Sequence, residues 1–117
     1  MIREIGLLST EDAQFYIACI MLIIEYLSTQ GVYLRDIKPE GFYVDHDGYV
    51  VATDLVSAKV HKDGNLKNKT YTMIGTPHYM APEIITSKGY CFYAGLYSLG
   101  INMFEFLCGF VPFGEKS

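Results

Sequence analysis

Residues 33–41 read "YLRDIKPEG", from Tyr33 to Gly41. An arginine, an aspartate and a lysine are crowded among apolar residues, and a glycine closes the stretch. Asp36 and Lys38 are two positions apart, so an extended or irregular loop can aim both into one cleft. An aspartate placed there orients a hydroxyl and takes its proton late. A lysine beside it neutralises a phosphoryl oxygen. Pro39 stiffens the chain that follows. A loop of surface ion pairs accounts for the same charges equally well, so the flanking sequence has to separate the two.

Ahead of this stretch, "STED" at Ser9–Asp12 has the form of a capping box. Ser9 caps a helix start and Asp12 answers at the third helical position. The helix is expected from about Thr10 to Ser28. Phe15, Ala18, Cys19, Leu22 and Tyr26 recur at helical spacing. Ile17, Ile20, Met21 and Ile24 extend the apolar surface almost all round, as in a central helix covered on several sides. Gly31 ends the helix or turns the chain. Behind the stretch, Phe42–Val44 and Tyr49–Ala52 are short strand candidates joined by the "DHDG" turn. Asp54 follows "YVVAT" at a strand end, where a carboxylate suits a magnesium ion on a nucleotide. Taken alone, Asp54 reads as a turn residue. Only its pairing with Asp36 across the hairpin favours the metal role.

Residues 60–69 form a polar interval, read as a surface loop with "KDGN" as a further turn. "GTPHYMAPE" carries two prolines and resists a continuous helix or central strand. A second buried helix is expected near Gly95–Cys108, with Gly109 as its stop and "VPFG" turning away. The fold class is therefore mainly α with a small β-hairpin, in one domain covering residues 1–117.

Composition narrows the function classes. In 117 residues half are hydrophobic, 15% are aromatic and the net charge is −4. That suits a globular core, and the absence of a basic block argues against a nucleic-acid surface. Cys19, Cys91 and Cys108 are widely separated and read as reduced core residues. "FYIACIMLII" is an apolar run too short to span a membrane, and no signal-peptide start precedes it. A cytoplasmic setting with no membrane partner is expected. Asp45 and Asp47 lack the spacing of a calcium loop, and the three histidines form no zinc pattern.

The combined pattern resembles the C-terminal lobe of a eukaryotic serine/threonine protein kinase of the AGC type, closest in flavour to the cyclic-nucleotide-dependent (cGMP-dependent) branch. "YLRDIKPEG", "VVATDLVSAK", "TYTMIGTPHYMAPEII" and "GLYSLGINMFEFLCGFVPFG" carry the likeness in order and separation, over nearly the whole chain. The resemblance implies that Asp36 is the catalytic aspartate and Lys38 the phosphate-neutralising lysine. It makes Asp54 the metal-binding and nucleotide-binding aspartate, and Thr76 the hydroxyl residue supporting the Asp–Lys pair. Thr72 takes the activation-loop phosphorylation position and Arg35 the phosphate-pairing one. Glu83 closes "APE", whose family partner is an arginine of a later helix. The implied cofactors are ATP and Mg2+.

Several positions depart from the family pattern. Gly41 replaces the asparagine that serves the second magnesium. Leu55 and Val56 replace the phenylalanine and glycine after the metal-binding aspartate, and valine restricts the backbone. Gly95 replaces a buried aspartate that holds the catalytic-loop backbone by hydrogen bonds. Leu34 takes the place of a histidine or tyrosine, and Tyr97 that of a tryptophan. His78 lies where related kinases often have glutamate, near a substrate-recognition region. A glycine-rich phosphate loop and its paired lysine are not found, and these losses count against ATP and magnesium binding by this chain. The expectation is a kinase-related fragment inactive in isolation, its family chemistry being ATP-dependent phosphoryl transfer to protein hydroxyls. The alternatives are a pseudokinase-like protein-binding module or a remnant. Expected partners are a protein substrate, a missing kinase segment, or a second copy meeting exposed apolar surface.

Overall fold

The computed structural model describes residues 6–53, 58–60, 77–86, 89–90 and 93–114. Helix α1 runs Thr10–Thr29. Strand β1 is Val32–Tyr33, β2 is Phe42–Val44, β3 is Val50–Ala52 and β4 is Lys59–Val60. Helix α2 is the short Pro82–Ile85, and α3 runs Tyr93–Cys108. Single tight helical turns occupy Pro39–Gly41 and Pro77–Tyr79. The polar interval 61–69, "KDGN" and Cys91 lie outside the described residues.

Helix α1 starts where its cap dictates. Ser9 is extended, and its hydroxyl accepts from the Asp12 amide at 3.1 Å. That contact satisfies one of the helix's orphan donors. The face turned inward is Ala13, Ile17, Ile20 and Ile24, not the Phe15–Leu22–Tyr26 stripe that spacing favoured. Phe15, Met21, Leu22 and Tyr26 are exposed. With apolar residues all round, spacing alone does not choose the inner face; packing against Leu34, Ile37, Phe42 and Leu99 does. By length and composition α1 is also apolar enough to cross a membrane. The whole helix thus passes a test that its ten-residue run alone does not, and its Ile17, Ile20 and Ile24 are buried in this fold.

The predicted hairpin is present. Strands β2 and β3 pair antiparallel with Phe42 opposite Ala52 and Val44 opposite Val50. Its turn is held by Asp45, whose Oδ1 accepts from the Asp47 amide at 3.0 Å and the Tyr49 amide at 2.9 Å. Gly48 sits at φ 90°, a left-handed conformation that suits glycine. Replacing Asp45 by alanine removes the acceptor of both bonds. It is expected to cost about 1 kcal/mol, read as a lower urea midpoint with an unchanged slope.

A second pairing, β1 with β4, has Val32 opposite Val60 and Tyr33 opposite Lys59. It was not anticipated, because two residues per strand leave no alternation to detect. Helix α3 begins two residues before the expected Gly95, and Gly109 ends it at φ 85°. Cys19 is half-buried and Cys108 exposed, both as free thiols. The core expectation therefore fails for Cys108, which lies on the outer side of α3's last turn.

Three clusters share α3. The largest joins α1, the hairpin and Leu99 with Phe106. A second gathers Tyr33, Met80, Ala81, Ile84, Tyr90 and Ala94. A third joins Tyr79, Ile101 and Val111. The segments 33–41 and 77–81 are thus both packed around one helix.

Candidate active site

Between β1 and β2 the chain alternates. Ile37, Pro39 and Gly41 are buried, while Asp36, Lys38 and Glu40 are half-buried. Ile37 has no exposed surface and Pro39 is fully enclosed. An extended backbone sends successive side chains to opposite sides. Lys38 is extended just before the Pro39–Gly41 turn, so burying Ile37 between Asp36 and Lys38 turns both to a common side.

On that side Lys38 Nζ lies 3.3 Å from Asp36 Oδ2. The Asp36 side chain is 13% exposed and that of Lys38 27%. Both retain access to a ligand while sitting partly out of water, where their charges act more strongly than on an open surface. The ion-pair geometry agrees with both sequence readings; the enclosed Ile37 and Pro39 remove the simple exposed loop. Arg35 is also half-buried on this stretch.

Gly41 closes the tight turn, donating from its amide to Lys38 O at 3.0 Å. Its own carbonyl accepts from Thr53 N at 3.0 Å and from Thr53 Oγ1 at 3.2 Å. Thr53 is the last described residue before Asp54. The hairpin thereby ties the end of the Asp36 loop to the strand that leads to Asp54.

Helix α3 supplies the floor. A Cβ placed on Gly95 would stand 3.1 Å from Leu34 O and 3.2 Å from Ile37 Cδ1. Ser98 and Asn102 are both fully buried. Ser98 Oγ donates to Tyr79 O at 2.5 Å, and Asn102 Nδ2 donates to Ile37 O at 2.8 Å. Tyr79 also donates through its hydroxyl to Glu105 Oε1 at 2.5 Å. Neither Ser98 nor Asn102 was singled out from sequence. The available signal was two small hydrogen-bonding residues four apart on a largely apolar helix.

The structure thus assembles Arg35, Asp36, Lys38, Gly41 and Gly95 around one loop. Asp54, Val56, Thr72 and Thr76 lie outside the described residues. His78 is exposed and Glu83 half-buried. Beside His78 a cavity of about 430 Å³ is lined by Pro77, Met80, Ile85, Tyr97 and Phe113. Among the described residues no group of three His, Cys, Asp or Glu side chains is placed to hold a metal ion.

In sequence, the chain is similar to known protein kinases. The protein kinase domain family model matches residues 1–117. A cGMP-dependent protein kinase of Toxoplasma gondii is 46% identical over 116 residues, covering 99% of this chain and 11% of that protein. Its counterpart in Plasmodium berghei is 45% identical over 114 residues, covering 97% and 13%. A cAMP-dependent protein kinase catalytic subunit of Homo sapiens is 42% identical over 116 residues, covering 99% and 31%. The chain spans only these fractions of the relatives' lengths.

Proposed function

This chain belongs to the protein kinase domain family, and from that premise we propose that it is a large-lobe segment of the serine/threonine type. Its chemistry is ATP-dependent phosphoryl transfer to protein hydroxyls, with negligible turnover by the chain itself. The observation that carries the reading is the Asp36–Lys38 pair at 3.3 Å, on a loop whose alternate residues are locked in the core.

In this reading Asp36 orients the acceptor hydroxyl and takes its proton late. Lys38 balances charge on the phosphoryl oxygens. Little covalent work is asked of the protein, since this reaction is governed by positioning and charge. Asp54 is the proposed metal and nucleotide contact, and Thr76 the support for the Asp–Lys pair. Phosphate on Thr72 would pair with Arg35.

ATP and Mg2+ are the cofactors of this chemistry, and bound magnesium neutralises phosphate charge. The surroundings of Gly41 do not fit a second magnesium. Glycine offers no side chain, and its carbonyl already accepts two hydrogen bonds from Thr53. Each lost contact of about 1.4 kcal/mol slows a reaction about tenfold, which is the reason for expecting negligible turnover.

The test uses magnesium, labelled ATP and basic peptides. The isolated chain is expected to incorporate no phosphate above its Asp36→Asn variant. Incorporation by the chain that Asp36→Asn abolishes would overturn the inactivity. The chemistry itself is tested by exchanging the matching 116 residues of the Toxoplasma gondii relative for this chain. That chimera is expected to show transfer that Asp36→Asn eliminates and Gly41→Asn raises about tenfold. Transfer indifferent to Asp36→Asn would reject the assigned roles.

A protein-binding module is the second reading. The cavity beside His78, with Ile85 and Phe113 exposed at 50% and 64%, favours it. A peptide or a second copy held there would be displaced by Phe113→Asp.

A further inference from the structure

Helix α3 carries glycine at the position where the kinase resemblance has a carboxylate gripping the catalytic loop. Without that side chain the helix lies close against the loop, within 3.1 Å of Leu34 O as measured from a Cβ on Gly95. Seven residues on, and on the same face of the helix, stands Asn102. It has no exposed surface. Its Nδ2 donates to Ile37 O at 2.8 Å and to Ser98 O at 2.7 Å. Both amide protons therefore go to carbonyls. Reversing the amide would set Oδ1 against two carbonyl oxygens, so the partners dictate its orientation. Oδ1 has no hydrogen-bond partner.

An orphaned buried acceptor opposes folding. A leucine of similar size would fill the same space without that penalty. What leucine cannot supply is the bond to Ile37 O. That carbonyl belongs to the peptide linking Ile37 to Lys38, one bond beyond Asp36. Fixing its plane places the Lys38 Cα and, through the Ile37 torsions, restricts how Asp36 is presented beside it.

We propose that Asn102 is a positioning residue for the Asp36–Lys38 loop, replacing the carboxylate missing at Gly95 with a grip of opposite polarity. A carboxylate would accept from loop N–H groups, whereas Asn102 donates to a loop carbonyl. Ser98, one turn earlier on α3, holds Tyr79 O at 2.5 Å. The one helix face thus ties down the loop and the Pro77–Tyr79 turn together. The inference rests on the phosphoryl-transfer reading for its purpose, but its test does not depend on activity.

Hydrogen exchange of the full chain is compared between wild type and Asn102→Leu, alongside urea denaturation. Asn102→Leu is expected to raise exchange of amides 35–41 at least tenfold relative to those of the β2–β3 hairpin. The Gly41 amide, bonded to Lys38 O, is the most direct reporter. The urea midpoint should stay level or rise. Unchanged loop exchange, or a uniform rise that follows a falling midpoint, would make Asn102 a core filler and overturn the proposal. Should Asn102→Leu fail to fold, the wild-type chain still decides. The Asn102 side-chain amide protons are expected to exchange at least tenfold more slowly than those of exposed Gln14, and equal rates would overturn it. Asp36→Asn is expected to leave loop exchange unchanged, so failure of the catalytic reading is separable from failure of this one.

Discussion

Phe42→Ala is expected to destabilise the chain by about 3–5 kcal/mol. A domain of ordinary stability has about 5–15 kcal/mol in all, so the variant should be largely unfolded in moderate urea. Phe42 is 2% exposed and opens β2 directly after Gly41. It packs in the cluster that contains Ile20, Ile24, Ile37, Val50 and Leu99. Removing the ring therefore opens a cavity where α1, the charged loop and α3 meet. That junction cannot close without moving one of them. Circular dichroism against urea measures the loss. A change below about 0.5 kcal/mol, the range of ordinary surface substitutions, would contradict the placement of Phe42.

The second large effect is expected at Ile37. Its side chain is completely enclosed and is the inward anchor between Asp36 and Lys38. Ile37→Ala should cost about 2–5 kcal/mol. A proper control is Val51→Ala on β3, where the side chain is 43% exposed and the expected cost is within about 0.5 kcal/mol. If the two variants unfolded at the same urea concentration, the alternation that organises the loop would be wrong. Beyond stability, shortening Ile37 frees the backbone on both sides. The Asp36–Lys38 pair should then loosen even in the fraction that remains folded.

What the sequence makes legible here is whatever a few neighbouring residues determine. Ser9 specifies the start of α1 through one hydroxyl and one amide. Asp45 and Gly48 specify the hairpin turn in the same local way. The inner face of α1 is not legible, because Ile17 and Leu22 are equally apolar and only distant Leu99 and Phe42 distinguish them. The β1–β4 pairing joins residues far apart in sequence with too few positions for a pattern. The polar contacts of Ser98 and Asn102 depend on where α3 crosses two other segments, which no local rule describes. For the candidate site, Asp36 and Lys38 were legible as a motif, and their 3.3 Å separation is a property of the folded loop. The family was legible from motif order, and the matching kinase domain model bears it out.

The alternation across residues 36–38 limits how this chain can change. Gly41 is held through its backbone, and Gly95 lets α3 lie close against Leu34 and Ile37. Neither contact asks for the functional side chain that related kinases place there. Chemistry can therefore erode letter by letter while the scaffold survives. Changing the number of residues is another matter. Deleting Ile37 would draw Asp36 or Lys38 toward the enclosed place that the isoleucine fills. This segment tolerates a loss of meaning far better than a shift of frame.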